Sequence, residues 1–155
     1  MTESADFKSD FIILTKKIAT GEDEPSVERN VALQLNFILS MLSLPIELTK
    51  FKKRNAERRF FEPLVNFLKE NAEISVGADK KDRYIIMDLR DAIAHLHIAL
   101  EKEDEEIKAV ILSNEFHNEV NFLCKISTDK LQEFVLLAAD EYEKYCDKIN
   151  LLSNR

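Results

Sequence analysis

The sequence predicts a mainly α-helical fold, a bundle of about five helices with one small β-hairpin near residues 107–126. Three observations carry this expectation. Only two glycines and three prolines occur in 155 residues, too few for the tight turns of an all-β sandwich. Apolar residues recur at spacings of three and four along most of the chain. The 45% hydrophobic content is enough for one core without disulfides or metals, and no composition break marks a second domain, so 1–155 reads as a single domain.

Taken in order, Phe7, Phe11, Leu14 and Ile18 share a helical face ahead of Gly21, a residue suited to closing the helix. Pro25 fits a first helical position, and Val31, Leu35, Ile38 and Leu42 mark the apolar face of a second helix, expected to end or kink near Pro45. Phe60, Phe61, Leu64, Phe67 and Leu68 surround Pro63 in a broken or newly started helix, read as core rather than as a base-stacking platform. Ser75 to Lys81 reads as a loop pivoting on Gly77. A fourth helix runs from Asp82 to about Leu100, where the acidic run Glu101 to Glu106 opposes the helix dipole. Ile107 to Leu112 and Val120 to Ile126 are β-branched runs that flank a polar turn and predict the hairpin. Ser127 or Thr128 can cap the last helix, whose stripe is Leu131, Val135, Ala138, Tyr142, Tyr145 and Ile149.

Charge and motif content exclude several functions. A formal net charge of −7 opposes non-specific coating of nucleic acid, so any nucleic-acid contact must be local. That contact would fall on the one strongly basic stretch, Lys50, Lys52, Lys53, Arg54, Arg58 and Arg59, with Glu57 as its only acid. The same stretch could serve as a solvated face or dock an acidic partner. Cys124 and Cys146 form no paired motif and read as reduced thiols. No apolar run is long enough for a bilayer span and no export signal is visible, so a soluble, cytoplasmic protein is expected. No phosphate-binding loop, dinucleotide fingerprint or serine-hydrolase elbow occurs. His95 and His97 have a metal-like spacing, but on a helix they would diverge, so neither metal nor cofactor is expected.

The chemistry concentrates in the helix from Asp82. At ~100° per residue, Ile85, Leu89, Ala92, Leu96 and Ala99 form the core stripe, and Arg90 and His95 flank the opposite side about 140° apart. Asp91 stands four residues before His95, where its carboxylate could orient the imidazole and select its tautomer. Arg90 shares its row with Ile86, Ile93 and His97. A cation in such a row needs a partner, a ligand or water, because an unpaired buried charge costs several kcal/mol. Small Ala94 would admit a second backbone, and Ile86, Met87, Ile93 and Ile98 would leave apolar surface beside the charged row, so this face is expected at a two-fold interface.

Arg90-Asp91-Ala92-Ile93-Ala94-His95 resembles the Arg-x4-6-His motif of the HEPN superfamily, and the predicted hairpin followed by Ile126-Ser127-Thr128-Asp129-Lys130-Leu131 resembles a plasmid- and phage-associated branch of it. The resemblance implies a homodimer with the motif at its cleft, and a metal-independent endoribonuclease of toxin or phage-defence type, restrained by an antitoxin or regulatory protein. It implies acid–base chemistry for His95, phosphate stabilisation for Arg90, orientation for Asp91, and a cyclic-phosphate product. Members paired with nucleotidyltransferase antitoxins often carry Tyr where this chain has His97, so control by modification of that tyrosine is not expected here. His97 instead joins the basic stretch as an RNA-contact residue. Two rival readings stand beside this one: a non-catalytic homodimer that binds RNA or protein, and an interaction module that docks a neighbour through its charged runs.

Overall fold

The computed structural model describes residues 27–51 and 55–153, with side chains for 30–47 and 57–148. The expected helix over 7–18 lies outside these residues. Among the described residues the order is α1 (Val27–Phe51), α2 (Asn55–Asn71), β1 (Glu73–Val76), α3 (Asp82–Ala94), β2 (Ile98–Glu103), β3 (Glu106–Phe116), β4 (Glu119–Ser127) and α4 (Thr128–Ser153). The strands form one antiparallel sheet in the order β1-β4-β3-β2. The five-helix bundle with a small hairpin is therefore corrected to four described helices and a four-stranded sheet.

Two strands account for the difference. β2 takes residues 98–103, expected to end a helix and enter an acidic loop, and β1 takes residues 73–76 at the start of an expected loop. Both hairpins turn without glycine. Asp104 and Glu105 join β2 to β3, His117 and Asn118 join β3 to β4, and all four residues have positive φ, between 51° and 66°. Two-residue loops with both residues left-handed match the right-handed twist of paired strands. Asp, Asn and His tolerate that region better than most side chains, so the acidic run makes a turn as well as a charge cluster.

Both internal prolines are carried inside continuous helices, Pro45 in α1 and Pro63 in α2. Each removes one backbone donor. The apolar face nonetheless continues past them: Ile46 joins Val31, Leu35, Ile38 and Leu42 in the core, and Leu64, Val65 and Leu68 follow Phe60 and Phe61. Each such side chain contributes roughly 1.5–3 kcal/mol when fully buried, enough together to outweigh a lost hydrogen bond.

One sheet face carries Ile98, Leu100, Val110, Leu112, Phe122, Cys124 and Ile126, all buried, while alternate positions such as Leu123 and Lys125 are half-exposed. α4 presents its expected stripe through Tyr145, with Leu131, Ala138 and Tyr145 buried and Val135 and Tyr142 partly so, and the Ile149 side chain lies outside the described ones. Its start is capped by Ser127 Oγ, which accepts the Lys130 N–H at 3.2 Å. Phe60 packs its ring against Tyr142 and Tyr145, and Phe67 against Phe134, so the aromatics belong to the core. Glu57, the lone acid of the basic stretch, is buried and accepts the Tyr145 hydroxyl at 3.1 Å, tying α2 to α4. Burial pushes the Cys124 thiol up to about 12, which leaves it protonated and inert at neutral pH.

The segment before α3 is held by Asp88, a mostly buried carboxylate that receives Lys80 Nζ at 2.7 Å and Asn114 Nδ2 at 3.1 Å. Gly77 starts that segment at φ +89°, where an added Cβ would meet the Asn121 carbonyl oxygen at 2.7 Å. Conformation and contact oppose a side chain there together. Gly77→Ala is expected to cost at least ~1–3 kcal/mol, read as a lowered urea midpoint; an unchanged midpoint would show that this turn relaxes freely.

Candidate functional site

The Arg90 and His95 region lies where α3 ends and β2 begins. α3 stops at Ala94 because the chain closes a two-bond terminating turn: the Leu96 N–H donates to the Ile93 carbonyl at 3.1 Å and the His97 N–H to the Ala92 carbonyl at 2.8 Å. This is the Schellman arrangement, in which the residue after the cap is left-handed and usually glycine. Here that residue is Leu96, at φ 56°. Its side chain packs against the core, which holds a conformation that leucine otherwise disfavours.

The turn rearranges the expected faces. Leu96 and Ala99 leave the helical stripe, and His97 leaves the Arg90 row. Ile85, Leu89 and Ala92 are buried as expected, but so are Ile86 and Ile93 on the Arg90 row, and Ile98 on β2. The apolar surface expected beside the motif is therefore inside the molecule, with Met87 also packed against the core. Ala94 remains exposed.

Arg90 sits at the margin of this buried row with 16% of its side chain exposed, and its Nε donates to Asp91 Oδ1 at 2.7 Å. Adjacent helical residues do not normally face each other, so the arginine side chain folds back across its neighbour to make this bond. Its Nη1 lies 3.5 Å from Glu47 Oε1 on α1. The need of this cation for a partner is thus met by two carboxylates. Asp91 is engaged by Arg90 instead of by the His95 imidazole, and the link it does make to His95 is through the backbone, His95 N–H to Asp91 carbonyl at 2.9 Å.

His95 is exposed at the helix cap, and its ring centroid lies 5.8 Å from that of His97. The two imidazoles, which would diverge on a continuous helix, are neighbours because the chain turns between them. Among the described residues His97 Nδ1 is buried without a hydrogen-bond partner, and the His97 carbonyl accepts the Ser113 N–H at 3.1 Å, opening the β2–β3 ladder. Among the described residues no cluster of three or more His, Cys, Asp or Glu side chains is placed to hold a metal ion.

Sequence reasoning missed Glu47, which nothing in the local pattern around Arg90 could indicate. Of the basic stretch, Arg58 and Arg59 are exposed on α2, whereas the side chains of Lys50, Lys52, Lys53 and Arg54 lie outside the described ones. No helix among the described residues is long and apolar enough to cross a membrane.

A family model described as HEPN pEK499 p136 matches residues 1–149. No curated protein and no solved structure matches the chain.

The turn makes a specific demand on position 96. Leu96→Val places a β-branched residue at positive φ and is expected to cost about 1–3 kcal/mol, whereas Leu96→Gly, which removes more side chain, should lose less. Thermal unfolding of both variants checks this order; the reverse would mean that packing alone governs the site.

Proposed function

The chain belongs to the HEPN pEK499 p136 family, and on that premise we propose that it is a metal-independent endoribonuclease with a toxin or phage-defence role, acting as a homodimer whose cleft joins two copies of Arg90 and His95. HEPN domains generally dimerise. The observation that carries the reading is the pairing of a nearly enclosed, carboxylate-oriented Arg90 with an exposed His95 at the same helix end. A guanidinium held in a fixed orientation suits the charge that develops on a phosphodiester. An exposed imidazole is open to a ribose hydroxyl and can either accept or return a proton.

In this mechanism one His95 removes the proton from a ribose 2′-hydroxyl, and the 2′-oxygen attacks the adjacent phosphorus. The bond to the 5′-oxygen breaks, and the His95 of the second copy returns a proton to that leaving oxygen. The products are a 2′,3′-cyclic phosphate and a 5′-hydroxyl. Arg90 stabilises the phosphorane-like charge, Asp91 orients Arg90, and His97 together with Arg58 and Arg59 contributes RNA contacts. Lys50, Lys52, Lys53 and Arg54 belong to the same basic stretch. An antitoxin or regulatory protein would restrain the activity.

One observation favours the rival, a non-catalytic dimer that binds RNA or protein: both acids near the motif engage Arg90, and neither orients His95. Cleavage of RNA in the presence of EDTA separates the two. Wild type should cut and leave cyclic-phosphate ends, and His95→Ala should lose on the order of 100-fold or more; equal activity in both would remove His95 from the chemistry. Ala94→Glu, placing like charges near the two-fold axis, should shift sedimentation toward monomer; a variant dimer as tight as wild type would move the interface to another face.

A further inference from the structure

We propose that Glu47 is the counter-ion that an RNA phosphodiester displaces from Arg90, so that this residue sets how tightly the site takes phosphate. The inference rests on the reading of Arg90 as the phosphate-holding group and adds a residue outside the motif. The two acids on Arg90 hold it differently. Asp91 is its chain neighbour and meets Nε at 2.7 Å, the short distance of a strong charge-assisted bond. Glu47 comes from another helix, reaches Nη1 only at 3.5 Å, and keeps half of its side chain exposed.

Asp91 therefore orients and Glu47 covers. A loose, half-exposed pair is worth no more than about fivefold in an equilibrium constant. A phosphodiester offers two anionic oxygens to one guanidinium and can bond it through two parallel N–H donors. Among the described residues Nη2 makes no hydrogen bond. With Asp91 still on Nε, the incoming phosphate takes Nη2 first and then Nη1 in place of the Glu47 carboxylate. A Glu47 that stays in place repels the same phosphate across a few ångströms, so its charge opposes binding in either position.

A structural anchor and a displaced counter-ion predict opposite signs. Were Glu47 needed to position Arg90, its neutralisation would weaken the site; as a competitor of the ligand, its neutralisation strengthens it. The experiment is fluorescence anisotropy with a labelled 2′-O-methyl oligoribonucleotide, which keeps the phosphates but lacks the attacking hydroxyl. It compares wild type, Glu47→Gln, Arg90→Ala, the double variant, and Glu133→Gln, whose acid sits in an exposed pair with Lys130 on α4. Glu47→Gln should tighten binding about two- to fivefold, more than Glu133→Gln does, and the gain should vanish when Arg90 is absent. Unchanged or weaker binding by Glu47→Gln, with wild-type binding still dependent on Arg90, overturns the counter-ion and leaves the ribonuclease reading standing. A gain that persists in Arg90→Ala also overturns it, since the effect would then be one of net charge. Binding indifferent to Arg90→Ala in every background overturns the phosphate-holding role of Arg90 together with the inference.

Discussion

When Leu96 takes a φ of 56°, the chain leaves the axis of α3 and starts β2 within two residues, and most of the remaining architecture follows from that change of direction. β2 becomes an edge of the sheet, the Ser113 N–H finds the His97 carbonyl, and β3 is set in register with it from Ile98↔Leu112 onward. The same turn puts His95 on a helix cap, where its ring is exposed, and brings His97 beside it. A continuous helix would have separated the two imidazoles and exposed part of the Ile93 row. The left-handed leucine is disfavoured on its own, so the core contacts of its side chain and the two terminating hydrogen bonds must hold it together.

Much of the fold was legible because helical burial leaves a strong periodic trace. Val31, Leu35, Ile38 and Leu42 on α1, and Leu131, Ala138 and Tyr145 on α4, are buried as their spacing requires. The β3–β4 hairpin was legible in its β-branched runs. What sequence reading could not see are turns that dispense with their usual residues. The helix end has leucine where glycine signals a stop, and both hairpin turns use Asp-Glu and His-Asn without glycine. Ile98-Ala99-Leu100 continues a helical pattern as readily as it begins a strand, so only the turn before it decides. At the site, Arg90, Asp91 and His95 were legible as a local motif, whereas Glu47 stands 43 positions earlier and meets Arg90 only through the packing of α1 against α3.

That packing explains why an arginine can occupy a mostly buried position. Ile86 and Ile93 above and below it on the helix are in the core, so the guanidinium emerges at the rim, where water is scarce on one side and available on the other. Two carboxylates supply the compensation that desolvation demands. The apolar contribution expected for a second copy at this face is spent inside the monomer. Exposed apolar side chains occur elsewhere, among them Phe37 and Leu44 on α1 and Phe116 and Val120 at the β3–β4 hairpin. Association through the Arg90 face itself would have to rely on the close approach that Ala94 permits and on polar contacts.

The charge distribution bears on how such a site would meet a polyanion. With a net charge of −7, the long-range field repels nucleic acid, and electrostatic steering cannot raise the association rate as it does for basic nucleases. Attraction is confined to within about a Debye length, roughly 8–10 Å at ordinary salt, of a few cations. Arg90 is one of them, and its charge is already shared with Asp91 and Glu47. On the proposed reading, a ribonuclease built this way would gain affinity only after the strand came close enough to displace a carboxylate, so a phosphate presented in the right geometry would be favoured over phosphate in general. The acidic surface and the covered arginine would then act in the same direction: both would suppress indiscriminate binding, and both would leave selectivity to short-range contacts at the end of α3.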